Sequence, residues 1–250
     1  MRLALFDLDD TLLDGDCSAL WNDWMVECGW IDSPGEYLAR TQAMNAAYHA
    51  GRLKLEQFLA LTLSPLMGRH EEEVAAEVEA FVAERIVPRF FPQGHALVAR
   101  HRDDGDLPLL ISASSRHLVG PVARWLGIEQ VIAVEPALEA GRFTGATTGV
   151  LSYRGGKVTR LESWLAERNA TASHLCFYSD SQNDLPLLNR VDRPVAVNPD
   201  PVLAEVARVE GWERLDWRCS AHTRRHSVAA APVTSFAEVE AAVGRGHQQI

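Results

Sequence analysis

The chain has 250 residues, 47% of them hydrophobic, which is enough to bury a sizeable core. This length suits one α/β domain with an insertion, or two modest domains, and the composition excludes a disordered or fibrous chain. The formal net charge of -10 disfavours a nucleic-acid surface, because the mean field of the protein would repel phosphates, so an anionic substrate needs a local cation.

The first residues and the cysteines bear on where the protein works. The apolar run at the start is only a few residues long and ends at Asp7, so it fits neither a signal peptide nor a membrane span. The four cysteines form no CxxC pair, which is typical of free thiols in a reducing compartment. We therefore expect a cytoplasmic protein that has neither a membrane nor a nucleic acid as its partner.

Apolar, strand-like runs alternate with helical stretches along the chain. This alternation predicts an α/β fold, with a doubly wound parallel sheet and helices on both of its faces. The helix after the second run is well marked, since His117–Leu126 carries apolar residues at helical spacing and Gly127 follows as a stop. The predicted strands are Leu3–Phe6, Leu107–Ile111, His174–Tyr178 and Pro194–Val197.

About a hundred residues separate the first two predicted strands, whereas a plain crossover between parallel strands needs only a few tens. The segment between them has helical patterns, notably over Leu53–Leu66 and Glu71–Ile86, and few strand signals. We interpret residues 17–88 as a helical cap domain, and residues 1–16 together with 89–250 as the catalytic core.

Two later segments depart from the alternation of strands and helices. Short β-prone pieces between Val131 and Tyr153, punctuated by glycines, predict an antiparallel hairpin. After Trp217 the pattern is weak, and it favours one helix over Phe236–Val243. The sequence leaves the role of this last segment open.

Two pairs of carboxylates follow predicted strands. Asp7 and Asp9 leave the first strand on the same side of the chain, and Asp180 and Asp184 follow the third. Each pair alone would also suit a helix cap or a solvated turn. The carboxyl ends of parallel strands meet at one edge of an open sheet, where ligands bind, so we expect these carboxylates to lie together.

Hydroxyls and one lysine complete this set. Ser112, Ala113 and Ser114 follow the second strand at a predicted helix start, where they could hold an oxyanion, although a serine there also serves as an N-cap. Lys157 precedes a helical stretch, where a solvated surface lysine would be equally ordinary. Clustered carboxylates repel one another and need a cation, and oxygen-only ligands point to Mg²⁺. Lys157 would then supply a second positive charge.

Four motifs together resemble those of the haloacid dehalogenase superfamily: DLDDT, a hydroxyl that ends the next core strand, a later lysine, and DSQND. Their order and spacing match from Asp7 to Asp184, which is most of the chain. The helical insertion is similar to the cap of the phosphoserine phosphatase-like subfamily, and the stretch from Gly141 to Gly145 is similar to that subfamily's hairpin. The resemblance implies a Mg²⁺-dependent phosphomonoesterase that acts on a small phosphorylated metabolite.

The resemblance also implies the two catalytic carboxylates. Asp7 is the nucleophile that takes the phosphoryl group, and Asp9 protonates the leaving alkoxide and then activates water on the aspartyl-phosphate. An aspartate at the position of Asp9 favours a phosphatase over a dehalogenase, because an alcohol leaving group needs a proton and a halide does not.

Further roles follow from the same resemblance. Mg²⁺ would be held by the Asp7 carboxylate, the Asp9 backbone carbonyl and Asp180, with Asp184 acting directly, through water, or as a neighbour of the metal-bound groups. Lys157 would neutralise Asp7 and phosphate together. The remaining groups expected to bind substrate are Ser112, Ala113, Ser114 and Asn183.

Interpretations of another class stay open at this stage. A regulator that binds a phosphorylated ligand could keep the fold and lose turnover, although every motif residue is present. A receiver domain of two-component signalling uses similar residues and Mg²⁺, but it is much shorter and lacks a cap insertion. The oligomeric state, monomer or homodimer, is also left open.

Two cap positions, compared with those of phosphoserine phosphatases, bear on the substrate. Asp16 stands where those enzymes carry a glutamate near the substrate's amino group. The position of their arginine for the substrate carboxylate falls on Thr62, although Arg40, Arg52 or Arg69 would serve if the cap packs differently. An anion for an amine without a cation for a carboxylate suits an amino-alcohol phosphate. We therefore predict a histidinol-phosphatase-like activity in amino-acid biosynthesis, with phosphoserine phosphatase second and a broad-range phosphatase third.

Overall fold

One sheet contains every strand in the part of the chain that a computed structural model describes, residues 1–49 and 52–218. Its strands are β1 (Arg2–Phe6), β2 (Leu107–Ser115), β3 (Gln130–Glu139), β4 (Arg142–Thr148), β5 (His174–Ser179), β6 (Arg193–Val197) and β7 (Glu213–Leu215). In space they follow the order β4-β3-β2-β1-β5-β6-β7, and all neighbours are parallel except β3 and β4. The predicted doubly wound parallel sheet is confirmed, with β1 at its centre.

The helices connect these strands. They are α1 (Cys17–Glu27), α2 (Pro34–His49), α3 (Leu55–Leu63), α4 (Glu71–Phe81), α5 (Pro92–Asp103), α6 (Arg116–Trp125), α7 (Gly155–Glu167), α8 (Leu185–Leu188) and α9 (Pro201–Glu210). Shorter helical turns lie at Ser64–Leu66, Val82–Ile86, Val87–Arg89 and Gln182–Asp184. Helices α1 to α5 all fall between β1 and β2 in the chain, while the boundary drawn between cap and core stays a prediction.

Both faces of the sheet are buried. In β1, Ala4 and Phe6 belong to one hydrophobic cluster, and Leu3 and Leu5 belong to the other, because successive side chains of a strand point to opposite faces. The first cluster continues into α1, α3 and α4, and the second packs against α7, α8 and α9. Burial on two sides explains why the predicted strands are continuous apolar runs.

The end of β2 differs from the prediction. The sequence placed Ser112 and the residues after it at a helix start, but β2 runs on to Ser115 and α6 begins at Arg116. The strand is longer because it continues beside β3, with a register shift between Ile111 and Ser115. The short edge strand β7 has no counterpart among the predicted strands, since its residues are largely exposed and give no apolar signal.

The predicted hairpin is confirmed as β3 and β4, and its tip joins the loop between α3 and α4. Gly68 N–H donates to the Phe143 carbonyl at 2.8 Å, and Phe143 N–H donates to the Arg69 carbonyl at 3.1 Å. Gly145 has a φ of +81° and approaches so closely that a Cβ there would lie 2.5 Å from Met67 Cγ. The hairpin therefore holds the helical insertion against the sheet.

Two further statements concern the limits of the described chain. The predicted helix over Phe236–Val243 lies outside the described residues. Among those that are described, no helix combines the length and the apolar character needed to cross a membrane.

Candidate active site

Asp7 stands at the carboxyl end of the central strand. Its backbone N–H donates to the Tyr178 carbonyl at 2.9 Å, which continues the pairing of β1 with β5 by one residue. Its side chain is buried, and Oδ1 accepts a hydrogen bond from Lys157 Nζ at 2.7 Å. The same ammonium group donates to Asp184 Oδ2 at 2.7 Å. Lys157 therefore bridges two of the carboxylates that the sequence places at this edge.

The charge of Lys157 is maintained by these partners. Only 1% of its surface is exposed, which excludes a solvated surface lysine. Burial opposes the charged ammonium, but Asp184 and Asp7 outweigh it and raise the pKa of Lys157. Burial raises the pKa of Asp7 to about 6, against the lowering effect of Lys157. The site therefore contains a permanent cation beside a carboxylate that titrates near neutral pH.

A tight turn brings Lys157 to this position. It lies in the first turn of α7, after two glycines. At Gly156 a Cβ would lie 2.0 Å from the Leu151 carbonyl oxygen, so no larger residue allows the loop to pass. The backbone of Arg154, just before the helix, has a positive φ of 51°. Such conformations in non-glycine residues concentrate at functional sites.

Asp9 is held between the start of α1 and the end of β2. Its Oδ1 accepts from Cys17 N–H at 2.6 Å, and its Oδ2 accepts from Ser114 Oγ at 2.8 Å. Burial, and then the charges of Asp16 and Asp7, raise the pKa of Asp9 well above its usual range. A carboxyl that keeps its proton in a buried site can serve as a general acid.

The serines of β2 divide into two environments. Ser112 is almost fully buried, and its Oγ accepts from Ser114 N–H at 3.0 Å. Ser114 Oγ bonds to Asp9 and lies 3.1 Å from Ser18 Oγ of α1. Ala113 lies between them, half-buried. The structure thus shows that Ser114 is a hydrogen-bond partner of Asp9, which the sequence did not indicate.

The second acidic pair is supported by hydroxyls. Thr11 Oγ1 donates to Asp180 Oδ1 at 3.1 Å, and Ser179 Oγ donates to Asp184 Oδ2 at 2.7 Å. Burial and then the charge of Asp7 raise the pKa of Asp180 well above its usual range. Thr11 stands inside the DLDDT motif and Ser179 directly before DSQND, yet nothing in the sequence distinguished them from neighbouring hydroxyl residues.

The donor set fits a magnesium ion. Asp7 is a buried carboxylate and Asp180 a half-buried one, and burial raises the pKa of both, with the charge of Asp7 adding to the rise at Asp180. Within residues 1–49 and 52–218 no group of three or more His, Cys, Asp or Glu side chains could by itself hold a metal. Mg²⁺ does not require one, since it is usually bound by one or two carboxylates together with water and substrate phosphate.

Asn183 links this site to the helical insertion. Its Oδ1 accepts from Tyr153 Oη at 3.0 Å and from Arg154 Nε at 3.1 Å, and its Nδ2 donates to the Tyr48 carbonyl at 3.3 Å. Burial and the carboxylates, Asp7 foremost, raise the pKa of Tyr48 well above its usual range. Helix α2 therefore brings Tyr48 to the acidic cluster. The sequence carried no signal for this approach, because it depends on how α2 packs.

The two cap positions used to predict the substrate are both engaged locally. Asp16 is the N-cap of α1, with Oδ1 accepting from Ala19 N–H at 2.9 Å, and its charge acts on Asp9. Thr62 is buried, and its Oγ1 donates to the Phe58 carbonyl at 3.1 Å within α3. Asp16 therefore stands near the acid, whereas the hydroxyl of Thr62 is directed to its own helix.

The arginines considered as substitutes differ in their surroundings. Arg69 lies over the Trp30 ring, 4.0 Å from its centroid, and pairs with Glu73 four residues on. Arg40 is an exposed residue of α2, and Arg52 is exposed in the loop before α3. Arg69 therefore has partners away from the carboxylate cluster.

A doubly wound sheet with two carboxylate-bearing loops and a buried lysine at its carboxyl edge is the arrangement of an α/β protein that binds its ligand at that edge. The model of the haloacid dehalogenase-like hydrolase family matches residues 4–189, and the chain belongs to this family. This confirms the resemblance found in the motifs.

Three known proteins are similar to this chain. A histidinol-phosphatase of Neisseria meningitidis serogroup C is 39% identical over 223 residues, covering 87% of this chain and 99% of that protein. The phosphoserine phosphatase SerB1 of Mycobacterium tuberculosis is 27% identical over 237 residues, covering 91% and 75%. A crystal structure of a protein with unknown function from Bordetella pertussis Tohama I has a TM-score of 0.81 and 38% identity, covering 86% and 98%. The chain is thus a hydrolase related in sequence to phosphomonoesterases of its family.

Proposed function

We propose that the protein is a Mg²⁺-dependent phosphomonoesterase that works through a phosphorylated Asp7 and hydrolyses L-histidinol phosphate. The observation that carries the chemistry is the buried bridge from Lys157 to Asp7 and Asp184 at the carboxyl end of the central strand. The Asp7 carboxylate and the Lys157 ammonium lie together there, and Asp9, whose pKa is raised by burial, follows two residues along the chain; these groups suit the nucleophile, the cation and the general acid that phosphoryl transfer through a covalent intermediate uses.

In the first half-reaction, an oxygen of Asp7 attacks the phosphorus and the bond from phosphorus to the ester oxygen breaks. Asp9 gives its proton to the leaving alkoxide, so an alcohol departs. Lys157 stabilises negative charge on the phosphoryl oxygens and on Asp7 throughout. Ser112 and the amides of Ala113 and Ser114 are the neutral donors of β2 that would bind those oxygens, and the Ser114 N–H, which donates to Ser112 Oγ, would have to turn to the phosphoryl group or be shared with it.

In the second half-reaction, a water molecule attacks the phosphorus of the aspartyl-phosphate. Asp9, now ionised, accepts the proton of that water, and the bond between phosphorus and Asp7 breaks to release inorganic phosphate. The hydrogen bonds from Cys17 N–H and Ser114 Oγ keep the Asp9 carboxyl in one orientation for both steps.

The residues that would hold Mg²⁺ are Asp7, Asp180 and the backbone carbonyl of Asp9. When bound, the ion supplies positive charge that balances both the carboxylates and the phosphoryl group. Asp184 would interact with the ion, directly or through water, by its other carboxylate oxygen, because its Oδ2 already accepts hydrogen bonds from Lys157 and Ser179.

The choice of substrate is supported by a similar protein and by the residues at two cap positions. A histidinol-phosphatase that this chain matches over nearly its whole length supports an amino-alcohol phosphate. Asp16 provides an anion near Asp9 for the substrate's amine, and Thr62 provides no cation for a carboxylate. L-Phosphoserine is the second candidate, since SerB1 is also similar, but the carboxylate of that substrate would find a threonine, Thr62, instead of an arginine.

The experiment compares phosphate release from L-histidinol phosphate, phosphoethanolamine and L-phosphoserine by the wild type and by Asp7→Asn. Asp103→Asn, at the exposed end of α5, is the matched control. We expect the wild type and the control to prefer L-histidinol phosphate, and Asp7→Asn to be inactive. EDTA should abolish the activity and Mg²⁺ should restore it, with Ca²⁺ a poor substitute because of its looser coordination.

Each part of the proposal has its own contrary result. A tenfold preference for L-phosphoserine would refute the substrate assignment and leave the chemistry intact. Full activity in chelator would refute the metal, and Mg²⁺-dependent turnover by Asp7→Asn would refute the nucleophile. Binding of these esters without any phosphate release would favour a phospho-ligand-binding regulator.

A further inference from the structure

The loop that carries the nucleophile, residues 7–14, is contacted from outside by the last described residues of the chain. The guanidinium of Arg218 pairs with the Asp10 carboxylate, and its Nε lies 3.9 Å from Asp14 Oδ1. Asn198, after β6, donates from Nδ2 to the Asp10 carbonyl at 3.1 Å. Asn198 Oδ1 also accepts from the backbone N–H groups of Trp217, at 2.8 Å, and Arg218, at 3.2 Å. We call Asn198, Trp217 and Arg218 the outer brace.

Trp217 adds packing to these polar contacts. It is buried, and its ring lies 6.0 Å from that of Phe91. At Gly94 of α5, a Cβ would lie 2.9 Å from Leu12 Cδ2 and 3.1 Å from Trp217 Cζ3. Leu12 of the nucleophile loop and Trp217 of the outer brace therefore both pack against α5 at Gly94. A residue with a side chain at this position would clash with them.

The backbone at two of these positions has an unusual conformation. Asp10 has a φ of 55° and Asn198 a φ of 45°, in the left-handed region that, after glycine, aspartate and asparagine adopt most readily. Here the two residues are joined directly by a hydrogen bond, next to Asp9, so their contacts set the course of the backbone that carries the acid.

The turn after β6 also holds the second carboxylate-bearing loop. Asp200 N–H donates to the Asp180 carbonyl at 2.8 Å, and Asp200 Oδ2 accepts from Gln182 N–H at 2.7 Å. One turn, residues 198–200, is therefore bonded to the loops of both Asp9 and Asp180. A displacement of this turn would change the separation of the groups that act on the phosphoryl group.

We propose that Asn198 and Arg218 of the outer brace are positioning residues for phosphoryl transfer, acting through Asp10 on the nucleophile loop. This inference rests on the proposed function. The residues touch neither the nucleophile nor Lys157 in the contacts described above, so their loss should leave substrate binding intact and lower the rate of the chemical step. Small misplacements of reacting groups reduce rates by up to about a hundredfold.

The test measures kcat and KM for Asn198→Ala, Arg218→Gln and Arg218→Lys, with thermal unfolding recorded for each. Arg208→Gln is the matched control, because Arg208 is an exposed arginine of α9 whose partner is Glu205. Asn198→Ala and Arg218→Gln should lower kcat about tenfold with KM within about twofold, and Arg218→Lys should recover part of the loss. An unchanged kcat in both variants, or a loss that follows the unfolded fraction, would overturn the proposal.

A second readout separates this inference from the proposed function. Backbone amide exchange over residues 8–14 is compared in the wild type and Arg218→Gln, both folded. The inference expects exchange about tenfold faster in the variant over this loop and unchanged exchange in β5. Equal rates over the loop would refute the outer brace, whatever the activity. A wild type that hydrolyses no phosphomonoester would refute the proposed function, and the exchange result would still decide the inference.

Discussion

The sheet edge and the helical insertion differ in how their polar side chains are used. At the sheet edge, Lys157 is buried and Asp9 is half-buried, and both are bonded to groups from distant parts of the chain. In the insertion, Thr62 bonds to its own helix and Arg69 to a residue one turn away. The edge is thus held together by long-range contacts of its polar groups, whereas the polar groups of the insertion bond locally, as does Asp16, which is half-buried just before it and caps α1.

This difference explains what each region should tolerate. A substitution at the edge removes a partner of several buried groups, so it should affect catalysis with every substrate. A substitution in the insertion should change the rates of some substrates relative to others.

Asp9→Asn should lower kcat by about two to four orders of magnitude with an alkyl phosphate, the usual size of a general acid–base contribution. Asparagine can still accept from Cys17 N–H, so the fold and substrate binding should persist. Steady-state kinetics with two unrelated alkyl phosphates provide the measurement. A loss confined to one substrate would contradict the contrast.

Lys157→Met should inactivate the enzyme and also destabilise the metal-free protein by about 3–5 kcal/mol, because it leaves Asp7 and Asp184 buried without their cation. Urea unfolding in EDTA measures this, with Lys54→Met, at the exposed N-cap of α3, as the control. Lys157→Arg should not rescue, since the site is buried on all sides and the loop passes too closely at Gly156. A stable and active Lys157→Met protein would show that neither stability nor activity depends on the ion pairs of Lys157 with Asp7 and Asp184.

These two regions also differ in what the sequence could predict. The grouping of Asp7 and Asp180 follows from motifs at the ends of parallel strands, which meet at one edge, whereas Lys157, at the start of α7, could be placed with them only through the family resemblance. Thr11 and Tyr48 could not be predicted, because the first is one of many hydroxyls and the second reaches the site through the packing of α2. The end of β2 was misplaced for a related reason, since its polar residues stay in the strand only through pairing with β3.

Asp16→Asn should change the preference between substrates and leave the chemical step unaffected. Asparagine caps helices as well as aspartate does, so α1 should keep its stability while the charge is removed. We expect kcat/KM to fall about tenfold or more for L-histidinol phosphate, in line with a hydrogen bond to a charged group, and to change little for a phosphomonoester without an amine. An equal loss for both esters would show that Asp16 acts on Asp9 rather than on the substrate.

Replacing His117 should change the stability of the protein at low pH and leave the rate at neutral pH unaffected. Burial lowers the pKa of His117 to about 3, against an unfolded value near 6.5. Because the folded pKa is depressed, the stability from this group is complete above about pH 6.5 and falls as the pH drops towards 3, by about 1.4 kcal/mol per pH unit.

The measurement is the free energy of unfolding of wild type and His117→Gln between pH 6 and pH 4. Glutamine can keep a hydrogen bond to Ser115 Oγ, which now pairs with Nδ1, but it does not titrate. The stability difference between the two proteins should shift in favour of the variant as the pH falls. Parallel curves for wild type and His117→Gln would contradict the prediction.

The most direct test of the central claim, that Asp7 carries the phosphoryl group, uses Asp9→Asn with p-nitrophenyl phosphate. This ester has a good leaving group that needs no proton, so the first step proceeds while the second lacks its base and the phosphoenzyme accumulates. Acid quenching, digestion and mass spectrometry should then find a phosphoryl group on the peptide that contains Asp7. Phosphate on another residue, or full turnover without any phosphorylated peptide, would contradict the account.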